Sequence, residues 1–453
     1  MIGTAVLYLL DLPKKGGNLL MKKTNYRWVV MAILFVLYTV ANADRANIGF
    51  ALPYIRKEYA MSNTEAGAII SFFFFAYAAF QIPSGFLVKK FGNKVMFCIG
   101  MFFTSICTGL MGIVPSVLAF KLCRLGVGIS EAPVAIASSG TINNWFPPKE
   151  KGTATGIFLA GSKMGPLVVP FICAWIIQVW SWHAIFVSFM IPGIILGVIW
   201  FFFVANRPRE SRFCNQAEVD YVENPEKAEK SIGKKRSYNL VWLDKLVRAK
   251  RVTLLTSPKE VFRCWDMWGV AFGYFFVVGL SSVFMSWLPS YLINVKHFAI
   301  MNTAFVSAAP FAGTVIGNFF GGWFSDYALG KRRKPMMMIT AASTSIIMYA
   351  MLAAPESPVL LALLLFLAGI FLALGYSMYM AYGMGRADSK TYPVAFSLVN
   401  MGGQLGGALM PLVVGIVLDH FSWDAVWLTI AAGSLLCLII ISTVVEPVDD
   451  PLV

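Results

Sequence analysis

The sequence predicts an all-α membrane protein of twelve transmembrane helices in two six-helix halves. Three observations carry that prediction. Of 453 residues, 58% are hydrophobic and 13% charged, with a mean hydropathy of +0.69; a soluble domain carries about twice that charged share. The apolar residues fall in blocks of about 20, the helix length that crosses about 30 Å of hydrocarbon. The two halves also repeat. "SWHAIF" (181–186) and "SWDAVW" (422–427) stand 241 residues apart, and at the same offset "GSKMGPLVVP" (161–170) matches "GGQLGGALMP" (402–411). An internal repeat across twelve spans is the mark of a secondary transporter, with its substrate site near the midplane between the halves.

In chain order the apolar blocks predict spans at 28–51, 64–88, 95–115, 118–143, 152–178, 183–205, 267–292, 302–327, 335–354, 357–385, 391–418 and 424–446. They define a short segment 1–27, a first half 28–205, a polar central loop 206–266, a second half 267–446 and a tail 447–453. The opening "MIGTAVLYLLDLPKKGGNLLMKK" is apolar first and basic second, the reverse of a secretory signal. Met21, directly before two lysines, is an alternative start that would make residues 1–20 a dispensable extension.

The basic residues set the orientation. Of 37 Lys and Arg, about 30 lie in the N-terminal segment or in connections that follow even-numbered spans, among them the central loop and the "KRRK" run 331–334. The positive-inside rule then places both termini and the central loop in the cytoplasm. It accounts for the net charge of +14 without nucleic acid. The seven cysteines are scattered, form no CxxC and are odd in number, so they read as small buried hydrophobes rather than disulfides or metal ligands. No cofactor is expected, and the chain is expected to act as a monomer in the bilayer.

Deep charges are few: Asp44 and Arg45 in the first span, Arg124 and Glu131 in the fourth, Lys163 in the fifth. Each costs about 2.5–3.5 kcal/mol at the bilayer centre even on a lenient scale. All lie in the first half. The second half offers hydroxyls and amides instead, including Tyr274, Tyr376, Ser377, Tyr379, Asn400 and Gln404. This asymmetry suggests that the first half manages protons and an anionic group while the second reads neutral polar groups such as sugar hydroxyls. Arg124 and Glu131, seven apart, share a helix face about two turns from each other; Asp44 and Arg45 point about 100° apart. A carboxylate in a low-dielectric cavity holds a proton more readily, and a nearby arginine opposes this. A substrate anion that occupies the arginine removes the opposition, a minimal scheme for anion–proton symport. The competing reading is a set of structural ion pairs, which are poor stabilisers compared with apolar packing. Tyr77, midway along the second span, is a cavity candidate, whereas the "SFFFF" before it reads as lipid-facing or core. Lys163 either lines the cavity, snorkels or pairs with an acid, and the repeat aligns it with Gln404. Glycines 402, 403, 406 and 407 read as a close helix–helix contact.

These features resemble the major facilitator superfamily. Its loop pattern G-x-L-x-D-R-x-G-x-[RK] appears as "GFLVKKFGNK" (85–94): Gly85, Leu87 and Gly92 match, but Lys89 replaces the acid. The second copy, "GGWFSDYALGKRRK", keeps it as Asp326. The resemblance implies a cytoplasmic gate at Gly85, Lys89, Gly92 and Asp326. "NADRANIGFALP", "FQIPSGFLVKKFG" and "RLGVGISEAPVAIASSGTINNWFPPKEKGTATGIF" resemble the anion:cation symporter branch and, within it, bacterial proton-coupled importers of hexonates, hexarates and hexuronates. The resemblance implies proton sites at Asp44 and Glu131, substrate contact at Arg45, a link from Arg124 to Glu131, and a site lined by Tyr77, Ser377 and Asn400. In "LAGSKMG" (159–165), Ser162 and Lys163 stand where galactonate and glucarate relatives carry a glutamine-containing stretch. A hexonate, L-galactonate first, is the expected cargo of an inner-membrane protein. The alternatives are another organic anion such as D-galactonate, glucarate or a hexuronate, or export or exchange. An exporter of cations would present deep acids without matching bases, which is not the pattern here. Nothing in the sequence assembles a catalytic constellation, so no enzyme is expected.

Overall fold

The computed structural model describes residues 23–223, 241–330, 332–388 and 391–448. Residues 1–20 with the alternative start at Met21, Lys331, Lys390 and the tail beyond 448 lie outside the described residues. Twelve long helices occupy the twelve predicted spans: α1 Tyr26–Glu58, α2 Asn63–Phe91, α3 Asn93–Leu110, α4 Val117–Trp145, α5 Pro148–Val179, α6 Trp182–Phe203, α7 Trp265–Ser286, α8 Ile300–Tyr327, α9 Lys334–Ala350, α10 Pro358–Leu374 with a second piece Tyr376–Arg386, α11 Tyr392–His420 and α12 Trp423–Thr443. Eleven are long and apolar enough by themselves to cross a membrane. The remaining one, α4, is 29 residues long but carries Lys121, Arg124 and Glu131.

Helices are the form an apolar chain takes in hydrocarbon, because every backbone N–H and C=O is satisfied within the segment. Prolines at 53, 83, 133, 166, 170, 192, 310 and 411 lie inside these helices without ending them. The repeat is visible at the helix starts: Ser181 and Ser422 are the N-caps of α6 and α12, so the two "SW" motifs open equivalent helices.

Within the halves, α2 packs on α4, α1 on α5, α7 on α11 and α8 on α10; between the halves, α2 packs on α11 and α5 on α8. The α11 glycines make these contacts possible. A Cβ on Gly402 or Gly406 would run into the carbonyls of Ala271 and Phe275 on α7. One on Gly407 would come within 2.8 Å of the Phe74 ring of α2.

The halves meet at the face opposite the basic loops, here called the far face. Asp419, near the end of α11, accepts from the backbone N–H of Asn63 and of Thr64, each at 2.8 Å, and from Asn63 Nδ2 at 2.9 Å. It thereby satisfies first-turn N–H groups of α2 that have no intrahelical partner, beside the Ser62–Glu65 capping box. One layer inward, the Ser71 hydroxyl donates to the Ala408 carbonyl. Among the described residues, the hydrogen bonds that cross between halves all start from this stretch of α2. Toward the basic face the crowding ends. A Cβ added at Gly85 of α2, Gly152 or Gly156 of α5, or Gly322 of α8 would meet nothing within 4 Å. The hydrogen bonds that join the halves among the described residues thus lie at the far face and not at the basic one.

On the basic face the central loop is stitched to each half. Arg27 of α1 pairs with Glu150 of α5 at 2.8 Å and with Glu218 of the loop at 3.0 Å. In the second half, Arg332 pairs with the loop's Asp244, and Lys334 Nζ donates to the carbonyls of Val247, Ser442 and Val444 at 2.9, 2.9 and 2.6 Å. Glu446 accepts from the N–H of Arg333 and of Lys334 at 2.9 and 2.6 Å. Two short parallel strands, β1 Ala249–Lys250 and β2 Glu446–Pro447, close the joint. Arg332, Arg333 and Lys334 of the "KRRK" run, which the sequence presents as a topology determinant, thus also form a structural clasp.

Asp419→Ala removes the cap on α2 and should weaken closure by about 1 kcal/mol, a severalfold shift toward far-face opening. Spin labels at Lys57 and Phe421 in liposomes should report longer distances, and an unchanged distribution would contradict the latch. Burial also pushes the Glu446 carboxyl up from 4.5 to about 7, against the two N–H groups that hold it down. A raised carboxyl binds more protons folded than unfolded, so its contribution to stability falls as pH rises from 4.5 to about 7. Thermal unfolding of Glu446→Gln across that range should lack this decline.

Candidate functional site

The deep charges converge midway through the first half. Arg45, on α1, reaches α4 and pairs with Glu131: Nη2 and Nε lie 2.7 and 2.8 Å from Oε1. Glu131 is 1% exposed, and its Oε2 has no partner. Asp44 is fully buried with both oxygens unpartnered, and lies within electrostatic range of Glu131 and Arg124. Arg124 is 1% exposed, with Nε and Nη1 unpartnered. Two acids and two bases therefore share one buried cluster in which a single pair is joined.

Arg124 and Glu131 lie within electrostatic range of each other, as the resemblance implies, while the direct ion-pair partner of Glu131 is Arg45. Two turns of α4 separate Arg124 from Glu131, whereas Arg45 approaches from the neighbouring helix. Asp44 and Arg45 serve different partners, as their angular separation on α1 requires. Pro133 cannot donate to the Ile129 carbonyl, which loosens α4 beside the pair.

The floor of the cluster is aromatic. The Phe73 ring lies 5.2 Å from the guanidinium carbon of both Arg45 and Arg124, and Tyr77 lies 4.8 Å from that of Arg45. Ring faces are electron-rich and stabilise buried cations. In the sequence Phe73 is one apolar residue among four, with nothing to single it out. Two further residues of the cluster escape sequence reasoning. Tyr38 stacks on Phe158 with ring centroids 3.9 Å apart and lies within electrostatic range of Arg45, Glu131 and Tyr77. Asn47, one turn from Asp44, is fully buried with both polar atoms unpartnered. Its only sequence signal is its place on the Asp44 face of α1.

The second half faces this cluster with tyrosines. Tyr274 of α7 packs edge-on to Tyr376 at 5.3 Å and lies within electrostatic range of Tyr38 and Tyr77, so the phenols of both halves gather in one place. Tyr376 and Ser377 open the second piece of α10, just past a break at Gly375. That break is satisfied by α9: the Gly375 N–H donates to Thr340 Oγ1 at 2.8 Å, and Thr340 donates to the Phe371 carbonyl at 2.9 Å. Discontinuous helices of this kind mark transporter binding sites. Lys163, on α5, crosses to the other half: its Nζ lies 4.5 Å from the Tyr376 ring centroid. On α11, Gln404 Nε2 donates to Asn400 Oδ1 at 3.4 Å, and Gln404 Oε1 is buried without a partner.

Other expected site residues stand apart from this gathering. Tyr379 is fully buried behind Tyr274, with its hydroxyl 3.5 Å from Cys437 Sγ. Ser162 directs its hydroxyl to the Leu159 carbonyl of its own helix at 2.6 Å. In the expected gate, Lys89 is exposed and Gly85 is uncrowded. Gly92, at φ +85°, joins α2 to α3 against the Asn206 side chain. Asp326 pairs with Arg333 at 2.8 Å within its own half rather than across the cleft.

Two repeated six-helix halves, with a buried charge cluster in the first and a broken helix in the second, define a secondary transporter rather than an enzyme. The family model of the Major Facilitator Superfamily matches residues 34–391 and 300–452, and the chain belongs to that superfamily. It is 27% identical over 436 residues to the D-galactonate transporter of Escherichia coli O6:H1, covering 94% of this chain and 96% of that one. It is 26% identical to the probable L-galactonate transporter of Escherichia coli K12 (97% and 95% covered) and 27% identical to that strain's probable galactarate/D-glucarate transporter GarP (96% of each). Among solved structures, it resembles a bacterial homologue of the human lysosomal transporter Spinster (TM-score 0.71, 17% identity, 92% and 96% covered) and the nucleoside transporter NupG (TM-score 0.67, 14% identity, 93% and 100% covered).

Phe73→Leu keeps bulk but removes the ring from both arginines. It should cost about 1–2 kcal/mol in stability. Phe75→Leu, at a position 41% exposed on the same helix, should be near neutral. Thermal unfolding in nanodiscs distinguishes the two.

Proposed function

We propose that this transporter imports a sugar acid together with protons across the bacterial inner membrane, acting as a monomer with both termini and the basic face in the cytoplasm. The observation that carries the reading is the Arg45–Glu131 ion pair at 2.7 Å, set beside a second acid and a second base. A substrate carboxylate that takes Arg45 displaces Glu131. A buried carboxylate without a counter-ion is far costlier as an ion than as an acid, so Glu131 accepts a proton as the anion binds. Asp44 is the second proton site, coupled to Glu131 and Arg124 by charge alone. Arg124 balances the second acid, so that the cluster is neutral rather than anionic when an anion approaches. The phenols of Tyr38, Tyr77, Tyr274 and Tyr376, with Asn400 and Gln404, offer the hydrogen-bonding groups that sugar hydroxyls need. A substrate lacking those hydroxyls would leave them unpaired.

The relatives named for galactonate and for galactarate and glucarate support a sugar acid as cargo. Within that class, resemblance points first to a hexonate, L-galactonate. D-galactonate, glucarate and the hexuronates are the alternatives, and the choice turns on how many acidic groups the cavity holds.

In weakly buffered cells expressing the protein, adding the right sugar acid should raise the external pH. Glu131→Gln should abolish that rise while leaving substrate exchange, and Arg45→Ala should abolish both. Uptake without any pH change would defeat proton coupling, and normal uptake by Arg45→Ala would overturn the site.

A further inference from the structure

We propose that Lys163, on the helix packed beside that of Arg45, is a second anchor for an anion, and that it selects sugar acids with a carboxylate at each end over those with one. This rests on the sugar-acid reading above, and it moves the favoured cargo from the hexonate that resemblance suggests to a hexarate-like diacid.

Lys163 lies midway along the 32-residue helix α5, in the part of the bilayer where a charge is most costly. It has no carboxylate within 4 Å among the described residues; its contact is the Tyr376 ring, at 4.5 Å. The other deep base that reaches a partner, Arg45, is held by Glu131, and Arg124 lies in range of both acids. Lys163 is therefore the deep base that the two deep acids do not serve. Lys163 is partly buried, and a ring face offsets only part of the cost of an ammonium at that depth, about 0.5–2 kcal/mol. The remainder is recovered when an anion binds.

Its position fits that role. Arg45 lies over the Tyr77 ring at 4.8 Å, Lys163 over the Tyr376 ring at 4.5 Å, and Tyr376 packs on Tyr274 at 5.3 Å. The two cations, on α1 and on α5, are thus each set against a phenol. Tyr376 opens the second piece of α10 just past its break. A diacid that reaches both cations meets one at each carboxylate, with phenol hydroxyls beside it. A monoacid leaves Lys163 without an anion.

Charge balance points the same way. With both acids ionised, the five deep charges sum to a single positive charge. A diacid brings two negative charges, and protonation of Asp44 and Glu131 restores the starting value. One proton site per substrate carboxylate is what a diacid needs.

The test uses the full chain reconstituted in proteoliposomes, with initial uptake of galactarate and D-glucarate measured against D- and L-galactonate. Wild type should take up the diacids with a kcat/KM at least about tenfold above the monoacids. Lys163→Gln should lower the diacid-to-monoacid ratio at least about tenfold, and Lys163→Arg should restore it. Galactarate should also raise the melting temperature of wild type, and Lys163→Gln should lose that shift even if its transport is impaired. If wild type moves galactonates and not diacids, or if Lys163→Gln leaves the ratio and the galactarate shift unchanged, the anchor is wrong while the sugar-acid reading stands. If none of the four compounds is transported or raises the melting temperature, both are wrong.

Discussion

The structure is organised around the ion pair between Arg45 and Glu131. A charge in hydrocarbon is tolerated when it meets its opposite and a wall of polarisable groups. Helix α1 brings Arg45 to Glu131 at 2.7 Å, and α2 lays Phe73 and Tyr77 against the guanidinium. Replacing such a pair with apolar side chains is often neutral or stabilising. Its presence is therefore an argument for use. The pair is also incomplete: Glu131 Oε2, both oxygens of Asp44 and two nitrogens of Arg124 have no protein partner. A cluster built only for stability would have closed those valences, since each open one costs about 1–3 kcal/mol.

The rest of the fold sets this cluster within the first half and packs the second half against it. Packing within a half is intimate: α11 approaches α7 so closely at Gly402 and Gly406 that no side chain fits. Contact between halves is just as close: a Cβ on Gly67 of α2 would meet the Pro411 carbonyl of α11 at 2.5 Å, and one on Gly49 of α1 would run into the Met285 carbonyl of α7. At the far face hydrogen bonds reinforce it, with Asp419 capping the exposed start of α2. Lys163 adds a contact to a tyrosine ring of the second half. The clasps on the basic face, Arg27 with Glu150 and Glu218, and Arg332 with Asp244, each stay within one half and its own end of the loop. They stiffen the halves without joining them.

Much of this is legible in the sequence, and what is not has a common cause. The twelve helices follow from hydropathy blocks, and the repeat offset of 241 residues marks Trp182 and Trp423 as the first residues of equivalent helices. The deep charges stand out because hydrocarbon makes them expensive. Partnership, however, is a property of helix packing. Arg45 and Glu131 are 86 residues apart, and no local pattern joins them, so the spacing of Arg124 and Glu131 shows their electrostatic coupling but not the ion pair. Phe73 carries no signal in a run of four phenylalanines, yet it is the one beneath both arginines. Arg332 and Lys334 read as loop charges because a basic run is normally solvated, but the neighbouring helix ends supply buried carbonyls and carboxylates to hold them. Tyr379 and Tyr376 look alike in sequence, three residues apart. The register of α10 past its break turns one hydroxyl to Cys437 and sets the other ring under Lys163.

The division between halves now has a physical basis. Titratable groups need fixed neighbours, because a shift of an ångström or two changes a Coulomb energy at low dielectric by kilocalories. Asp44, Arg45, Arg124 and Glu131 therefore sit on α1 and α4 of a single half, where motion of the other half leaves their spacing intact. Hydroxyl and amide groups have shorter reach, and their bonds are made or lost with closure. On the proposed function, placing Tyr274, Tyr376, Asn400 and Gln404 on the second half ties the recognition of sugar hydroxyls to the approach of the two halves. Lys163 is the exception, a charge on the first half that touches the second. It is the point at which the electrostatic balance of the cluster and the movement of the halves can influence each other directly.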